Sequence, residues 1–242
     1  MRLDQYLVDA RLFESRTRAQ DAIKSGLVRV DGVVADKPSM KVAEGTRVET
    51  DGDAHPYVSR GGTKLDAALE AFRIDPFGAT CLDLGASTGG FTDALLSGGA
   101  AKVYAVDVGR DQLHETLRAD PRVANLEATH VYDLTSEHIS EPIDILVCDV
   151  SFISLKKALP PALTFCRAGA QLAVLIKPQF EVGRERLGKG GIVRGEDAVA
   201  TASDVKNWFG GIEGWSVVGL IDSPIRGGDG NREFLLGAVK SA

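Results

Sequence analysis

The sequence predicts an α/β protein in which a mostly parallel seven-stranded sheet with crossover helices follows a small N-terminal α+β unit. Three observations lead there. From Leu65 onward short apolar runs alternate with helical stretches, the pattern of a parallel sheet joined by helices. The last two runs are separated only by "PIRGGDGN", too short for a crossover helix, so they form an antiparallel pair. The residues before Leu65 lack this alternation and begin as helix, helix, hairpin.

In the first unit Leu3, Tyr6 and Leu7 recur at helical spacing, as do Ala19, Ala22 and Ile23. Ser15 suits the N-cap of the second helix, because its hydroxyl can accept a bond from an unpaired backbone N–H, and Gly26 stops that helix. "LVRVDGVVADKPSMKV" then alternates around Asp31-Gly32, a two-residue hairpin signal. Residues 51–60, "DGDAHPYVSR", carry no periodicity and read as a linker ending in a loop at "SRGG". This gives two expected domains, 1–58 with the linker and 59–242. In the second, Leu65, Ala68, Leu69 and Phe72 mark a helix. The expected strands are "TCLDLG", "KVYAVDVG", "RVANLEAT", "IDILVCDVS", "AQLAVLIKP", "WSVVGLIDS" and "REFLLGAVK".

Composition limits the function. At 44% apolar and 26% charged, the chain of 242 residues reads as globular. "MRLDQYLVDARLF" lacks the apolar core of a signal peptide, and "LAVLI" is far short of a membrane span, so a cytoplasmic protein without membrane contact is expected. Cys81, Cys148 and Cys166 form no CxxC pair and lie in or beside apolar segments, so they read as buried thiols. His55, His114, His130 and His138 form no metal-ligand grouping and are assigned no chemistry, and no metal is expected. The net charge of -6 is unevenly spread: residues 1–64 hold 11 Lys and Arg against 10 Asp and Glu, and the remainder 17 against 24. On the second helix Arg16, Gln20 and Lys24 fall on one side with Arg18 beside them, a basic strip that suits either RNA phosphates or a solvated face.

The stretch "CLDLGASTGGFTD" carries the chemistry. In an open parallel sheet ligands sit at the carboxyl ends of the strands. Asp83 lies in the first strand, and Gly85, Ser87 and Gly89 follow at that edge, where glycines let backbone approach a ligand and the next helix offers free N–H groups. Asp107 ends the second strand, 24 residues after Asp83, where an acid accepts the hydroxyl protons of a ribose; capping the next helix is its other reading. Asp133 follows the third strand, where an acid can face an adenine amino group. With neither a GxxxxGK[ST] run nor a second glycine-rich turn, an adenosine ligand without phosphates, such as S-adenosylmethionine, fits better than a nucleotide. Four further groups converge on the same edge: Lys64, Asp149, Lys177 and Glu233. In a group of two lysines and two carboxylates, a neighbouring cation and partial burial can hold one amine neutral near pH 7.

With these residues the sequence resembles the TlyA family of ribosomal RNA 2'-O-methyltransferases, also labelled hemolysins. "RLDQYLVDARLFESRTRAQDAIKSGLVRVDG" resembles an S4 RNA-binding domain, and "YVSRGGTKL", "LDLGASTGGFTD", "CDVSFISL", "LIKPQFEVG" and "GNREFLL" resemble the FtsJ-like methyltransferase domain. The resemblance implies a Rossmann-like class I methyltransferase fold and an S-adenosyl-L-methionine cofactor. It places a Lys-Asp-Lys-Glu tetrad at Lys64, Asp149, Lys177 and Glu233. It also assigns Gly85, Ser87, Asp107 and Asp133 to the cofactor. After Asp149 the chain has "VSF" where FtsJ has "MAP".

The implied reaction is methylation of a cytidine ribose, Lys177 taking or polarising the hydroxyl proton, Asp149 holding Lys177, and Lys64 and Glu233 positioning the ribose. The implied partner is ribosomal RNA or a ribosomal subunit, and likeness to the shorter members of the family points to the large-subunit 23S rRNA. Arg16, Arg18, Lys24, Arg60, Arg184 and Lys189 are the expected RNA contacts, the last two in "EVGRERLGKGGIVR", which reads either as a loop folding over RNA or as solvated surface. Three other readings stay open: an RNA-binding protein that merely holds a nucleoside, a membrane-lysing protein, and an NAD-dependent oxidoreductase. The oligomeric state is open too.

Overall fold

The structure is a computed structural model that describes residues 1–43, 45–52 and 55–242. The chain divides into two compact units, Met1–Arg60 and Gly61–Ala242.

The first unit begins with helices α1 (Leu3–Asp9) and α2 (Arg16–Lys24), followed by strands β1 (Val28–Val30), β2 (Val33–Val34) and β3 (Val48–Thr50) in the antiparallel order β2-β1-β3. Leu3, Leu7, Ala19, Ala22 and Ile23 pack with Val28 and Val30 in its core, as the helical spacing predicts. Ser15 caps α2 by accepting a bond from the Arg18 N–H. Asp31 and Gly32 both have positive φ, 51° and 79°, as a two-residue turn of the type suited to twisted hairpins requires. Two features depart from the sequence reading. β3 adds a third strand, because the chain returns along the free edge of β1. The described part of the expected linker is packed rather than loose, for His55 and Tyr57 are buried and the Arg18 guanidinium donates to the Tyr57 carbonyl at 2.9 Å.

The second unit runs α3 (Gly61–Phe72), β4 (Thr80–Leu84), α4 (Gly90–Ser97), β5 (Lys102–Val106), α5 (Glu115–Arg118), β6 (Val123–Leu126), β7 (Ile143–Cys148), α6 (Leu155–Leu163), β8 (Cys166–Ile176), α7 (Pro178–Glu181), α8 (Gly195–Gly210), β9 (Trp215–Asp222) and β10 (Phe234–Lys240). Its sheet has the order β6-β5-β4-β7-β8-β10-β9, the first five strands parallel and β10 antiparallel to both neighbours. All seven expected strands are present. The expected loop at "SRGG" is shorter than read, because α3 begins at Gly61.

Alternation along the strands builds two faces. Leu82, Leu84, Cys148, Ile176 and Phe234 share a core with residues of α6 and α8. The side chains one position on from Cys148 and Ile176, and one before Phe234, therefore turn to the opposite face, where α3 lies against β8 and β10. Strand order reverses at β4, which has β5 on one side and β7 on the other, so a ligand crevice is expected at its carboxyl end.

Candidate active site

The face that turns away from the α6 and α8 core carries Asp149 after β7, Lys177 after β8 and Glu233 before β10. Phe234 pairs with Ile176, so Glu233 and Lys177 are the next residues outward on neighbouring strands. Lys64, one turn into α3, completes the group: its Nζ donates to Glu233 Oε2 at 2.5 Å. Lys177 Nζ lies 2.7 Å from Asp149 Oδ1 and donates to Ser151 Oγ at 2.9 Å. The Asp149 oxygen accepts no aligned hydrogen bond, so its contact with Lys177 is an ion pair of imperfect direction.

The two pairs differ in access. Lys64 and Glu233 side chains are 6% and 2% exposed, those of Lys177 and Asp149 13% and 21%. Lys64–Glu233 is the floor of the edge, and Lys177–Asp149 is the part a substrate can reach.

Beside them lies a cavity of about 430 Å³, within the range for small-molecule sites. Gly85, Ser87, Asp107, Gln112, Thr129, His130, Asp149, Ser151 and Phe152 are among its lining. Gly85 has φ +85°, and a Cβ there would lie 2.9 Å from the Asp149 carbonyl oxygen; only glycine lets the β4 turn close against the β7 turn. Asp107 accepts from the Ser87 N–H through Oδ2 at 2.8 Å and from the Gly109 N–H through Oδ1 at 2.7 Å. Each oxygen keeps a second lone pair for a diol.

The lining holds two carboxylates and neither lysine nor arginine. Such a site suits a ribonucleoside carrying positive charge. The residues present therefore fit S-adenosylmethionine. Among the described residues no group of His, Cys, Asp and Glu could hold a metal ion.

Three of the expected cofactor residues lie outside the lining. Asp83 is fully buried under α4, where Oδ2 accepts from Thr92 Oγ1 at 2.7 Å and Oδ1 has no hydrogen-bond partner. Burial pushes its carboxyl up to about 7, with the charges of Asp149 and Asp107 adding and the Thr92 bond opposing. Gly89 turns into α4 with φ +101°, and the Leu113 and Leu117 side chains close over its α-carbon. Asp133 sits in a 3-10 turn, Val131–Asp133, with an exposed side chain. His130 takes the lining position after β6 instead: its Nδ1 accepts from the Tyr132 N–H at 3.3 Å and its ring stacks on Tyr132. Its isolated place in the sequence hid it.

Phe152 was also missed. It lines the cavity at 90% exposure, with φ +65° and its ring 5.0 Å from that of Phe180. An exposed aromatic in a strained backbone directly after Asp149-Val150-Ser151 is a functional signal that the sequence does not carry, because Val150 and Ile153 beside it make Phe152 look like one more apolar residue.

The basic strip on α2 is not one open face. Asp4 is fully buried and accepts from Arg2, from Arg16 at 2.8 Å and from Gln20 at 2.7 Å. The Arg2 bonds, with those of Arg16 and Gln20, hold its carboxyl well below the usual carboxylate range against the cost of burial. Arg16 and Arg18 thus both make structural bonds, Arg60 lies 3.8 Å from Asp21, and Lys24 is exposed in the last turn of α2. Lys189 is exposed in the 3-10 turn Lys189–Gly191, and the side chain of Arg184 lies outside the described residues.

Residues 57–240 match the FtsJ-like methyltransferase family and residues 1–48 the S4 domain. A Mycobacterium tuberculosis protein named 16S/23S rRNA (cytidine-2'-O)-methyltransferase TlyA is 44% identical over 97% of this chain and 88% of its own. Hemolysin A of Brachyspira hyodysenteriae is 41% identical over 97% of this chain and 98% of its own. A solved structure from Streptococcus thermophilus, also described as a hemolysin, superposes with a TM-score of 0.78 at 40% identity, over 100% of this chain and 88% of that one. Among the described residues no helix is long and apolar enough to cross a membrane.

Proposed function

Because this chain belongs to the TlyA family, with an FtsJ-like methyltransferase domain behind an S4 domain, we propose that it transfers a methyl group from S-adenosyl-L-methionine to the 2'-hydroxyl of a cytidine in ribosomal RNA. The large-subunit 23S rRNA is the proposed substrate. One observation carries the reading: Asp149 belongs both to the cavity lining and to the ion pair with Lys177. The cofactor pocket and the amine that would serve the hydroxyl therefore share a wall.

Bound cofactor would supply a methyl group already activated by a positively charged sulfur. What remains for the protein is alignment and a route for one proton. Asp107 would accept from the ribose hydroxyls of the cofactor, and Gly85, Ser87 and His130, which line the same cavity, would help to hold it. Lys177, as the free amine once its extra proton has passed to Asp149, would accept the proton of the RNA 2'-hydroxyl, its direction fixed by Asp149 and Ser151. The Lys64–Glu233 pair holds the floor under Lys177. Phe152 offers its exposed ring for stacking against the target base.

Residues 1–58 then dock on RNA and residues 59–242 carry the transfer. Lys24 and Arg60 in the first unit and Lys189 in the second are the proposed phosphate contacts, while Arg16 and Arg18 are engaged by Asp4 and the Tyr57 carbonyl within the first unit. A ribosomal substrate supports a cytoplasmic location. The test is transfer of labelled methyl from S-adenosylmethionine to ribosomal subunits by purified protein, with 2'-O-methyl positions mapped on the product RNA. Methylated cytidine in 23S rRNA is expected. No incorporation into either subunit, with cofactor bound to the protein, would refute the assignment.

A further inference from the structure

Between α7 and α8 the chain forms a small hairpin. Leu187 bridges to Val193, the Gly188 N–H donates to the Ile192 carbonyl at 2.9 Å, and the Gly191 N–H to the Gly188 carbonyl at 3.1 Å. Arg186 and Lys189 are exposed on and beside it. A solvated surface loop would need nothing more, yet this one is fastened from below. Asn231, 1% exposed, accepts from the Val193 N–H through Oδ1 at 2.9 Å and donates through Nδ2 to the Gly191 carbonyl at 3.1 Å. Its own carbonyl accepts from the Gly227 N–H at 3.0 Å, closing the turn before β10.

That turn also covers Glu233, two residues on: a Cβ added at Gly227 would lie 2.5 Å from Glu233 Oε1. One buried amide thus joins the strand entry that carries Glu233 to the hairpin that carries Lys189. Each end of the amide meets a partner of the opposite hydrogen-bonding kind, so no other side chain of that size satisfies both bonds without taking up a proton.

We propose that Asn231 is a positioning residue: it locks the 187–193 hairpin against the Glu233 strand entry, so that RNA held by Lys189 arrives in register with Lys177. This rests on the RNA methyltransferase reading above. Asn231→Asp is the informative substitution, because it keeps the acceptor for Val193 but places a carboxylate oxygen against the Gly191 carbonyl. Asn231→Ser, which loses both contacts without adding charge, carries the same expectation should the aspartate variant not fold.

With unmodified large ribosomal subunits as substrate, the KM for subunits is expected to rise about tenfold, the scale of an unsatisfied buried polar group. Cofactor Kd is expected to stay unchanged, since none of these residues lines the cavity. Amide exchange across 187–193 should quicken. Lys189→Ala should raise the same KM, and the double variant should lose no more than Asn231→Asp alone, because the lysine acts only from a fixed hairpin. An unaltered KM, or losses that multiply in the double variant, would overturn the proposal. Failure of the unsubstituted protein to methylate would refute the function alone; the lock is then judged by exchange, and equal rates at Val193 in both proteins would overturn it.

Discussion

Asp83 makes the stability of the larger unit depend on pH in a direction opposite to that of an ordinary paired carboxylate. Its side chain is fully buried with one oxygen unpartnered, and burial raises it from 3.8 to about 7. Below 3.8 folded and unfolded chains both hold the proton, and the contribution to stability is fully present. Between 3.8 and about 7 only the folded chain holds it, so stability falls as pH rises, at about 1.4 kcal/mol per pH unit. Above 7 the loss is complete, on the order of 4 kcal/mol.

Asp83→Asn removes the titration while leaving an acceptor for Thr92 Oγ1. Urea unfolding followed by tryptophan fluorescence reports this unit, since both tryptophans, Trp208 and Trp215, lie within it. The stability of the variant relative to the unsubstituted protein should rise by about 3 kcal/mol between pH 5 and pH 8. Parallel stability curves across that range would show that Asp83 is ionised in the folded state and that the burial argument is wrong.

Other expectations concern the reaction edge. Lys177→Ala should lower kcat by about a hundredfold or more while calorimetry gives the same cofactor Kd, because the cavity lining does not include Lys177; near-normal turnover removes its role. Lys64→Met leaves Glu233 buried without a cation and should cost about 3 to 5 kcal/mol in urea unfolding, more than the double variant Lys64→Met with Glu233→Leu. A double variant less stable than the single one would refute the pairing argument. Phe152→Ala should raise the KM for ribosomal subunits about tenfold, the scale of one base stacked on an aromatic ring, with the unfolding midpoint unmoved because the ring is exposed. Unchanged KM would exclude stacking.

Much of the fold was legible because its signals are local. Alternation with period two marks each strand within a few residues, and Asp31-Gly32 and Ser15 act through backbone geometry at their own positions. β3 escaped because "RVET" has no alternating partner nearby and forms only by returning to the edge of β1. The start of α3 was placed late because Gly61 and Gly62 weaken a helix by propensity, which packing overrides.

In the site, Lys64, Asp149, Lys177 and Glu233 could be named as residues bound for one edge because each stands at a strand end or in the helix that leads into the sheet. Membership of the TlyA family is also written in the linear order of the motifs. Tertiary structure alone decided their division into a buried pair and an accessible one, the first joining residues 169 positions apart. It also decided that Asp83 lies beneath the cavity while His130 lines it, that Arg16 serves the buried Asp4, and that Asn231 fastens the hairpin. The reason is physical. A backbone pattern is set by neighbours in sequence, whereas whether a charged side chain meets water, a ligand or another charge depends on which distant elements pack over it.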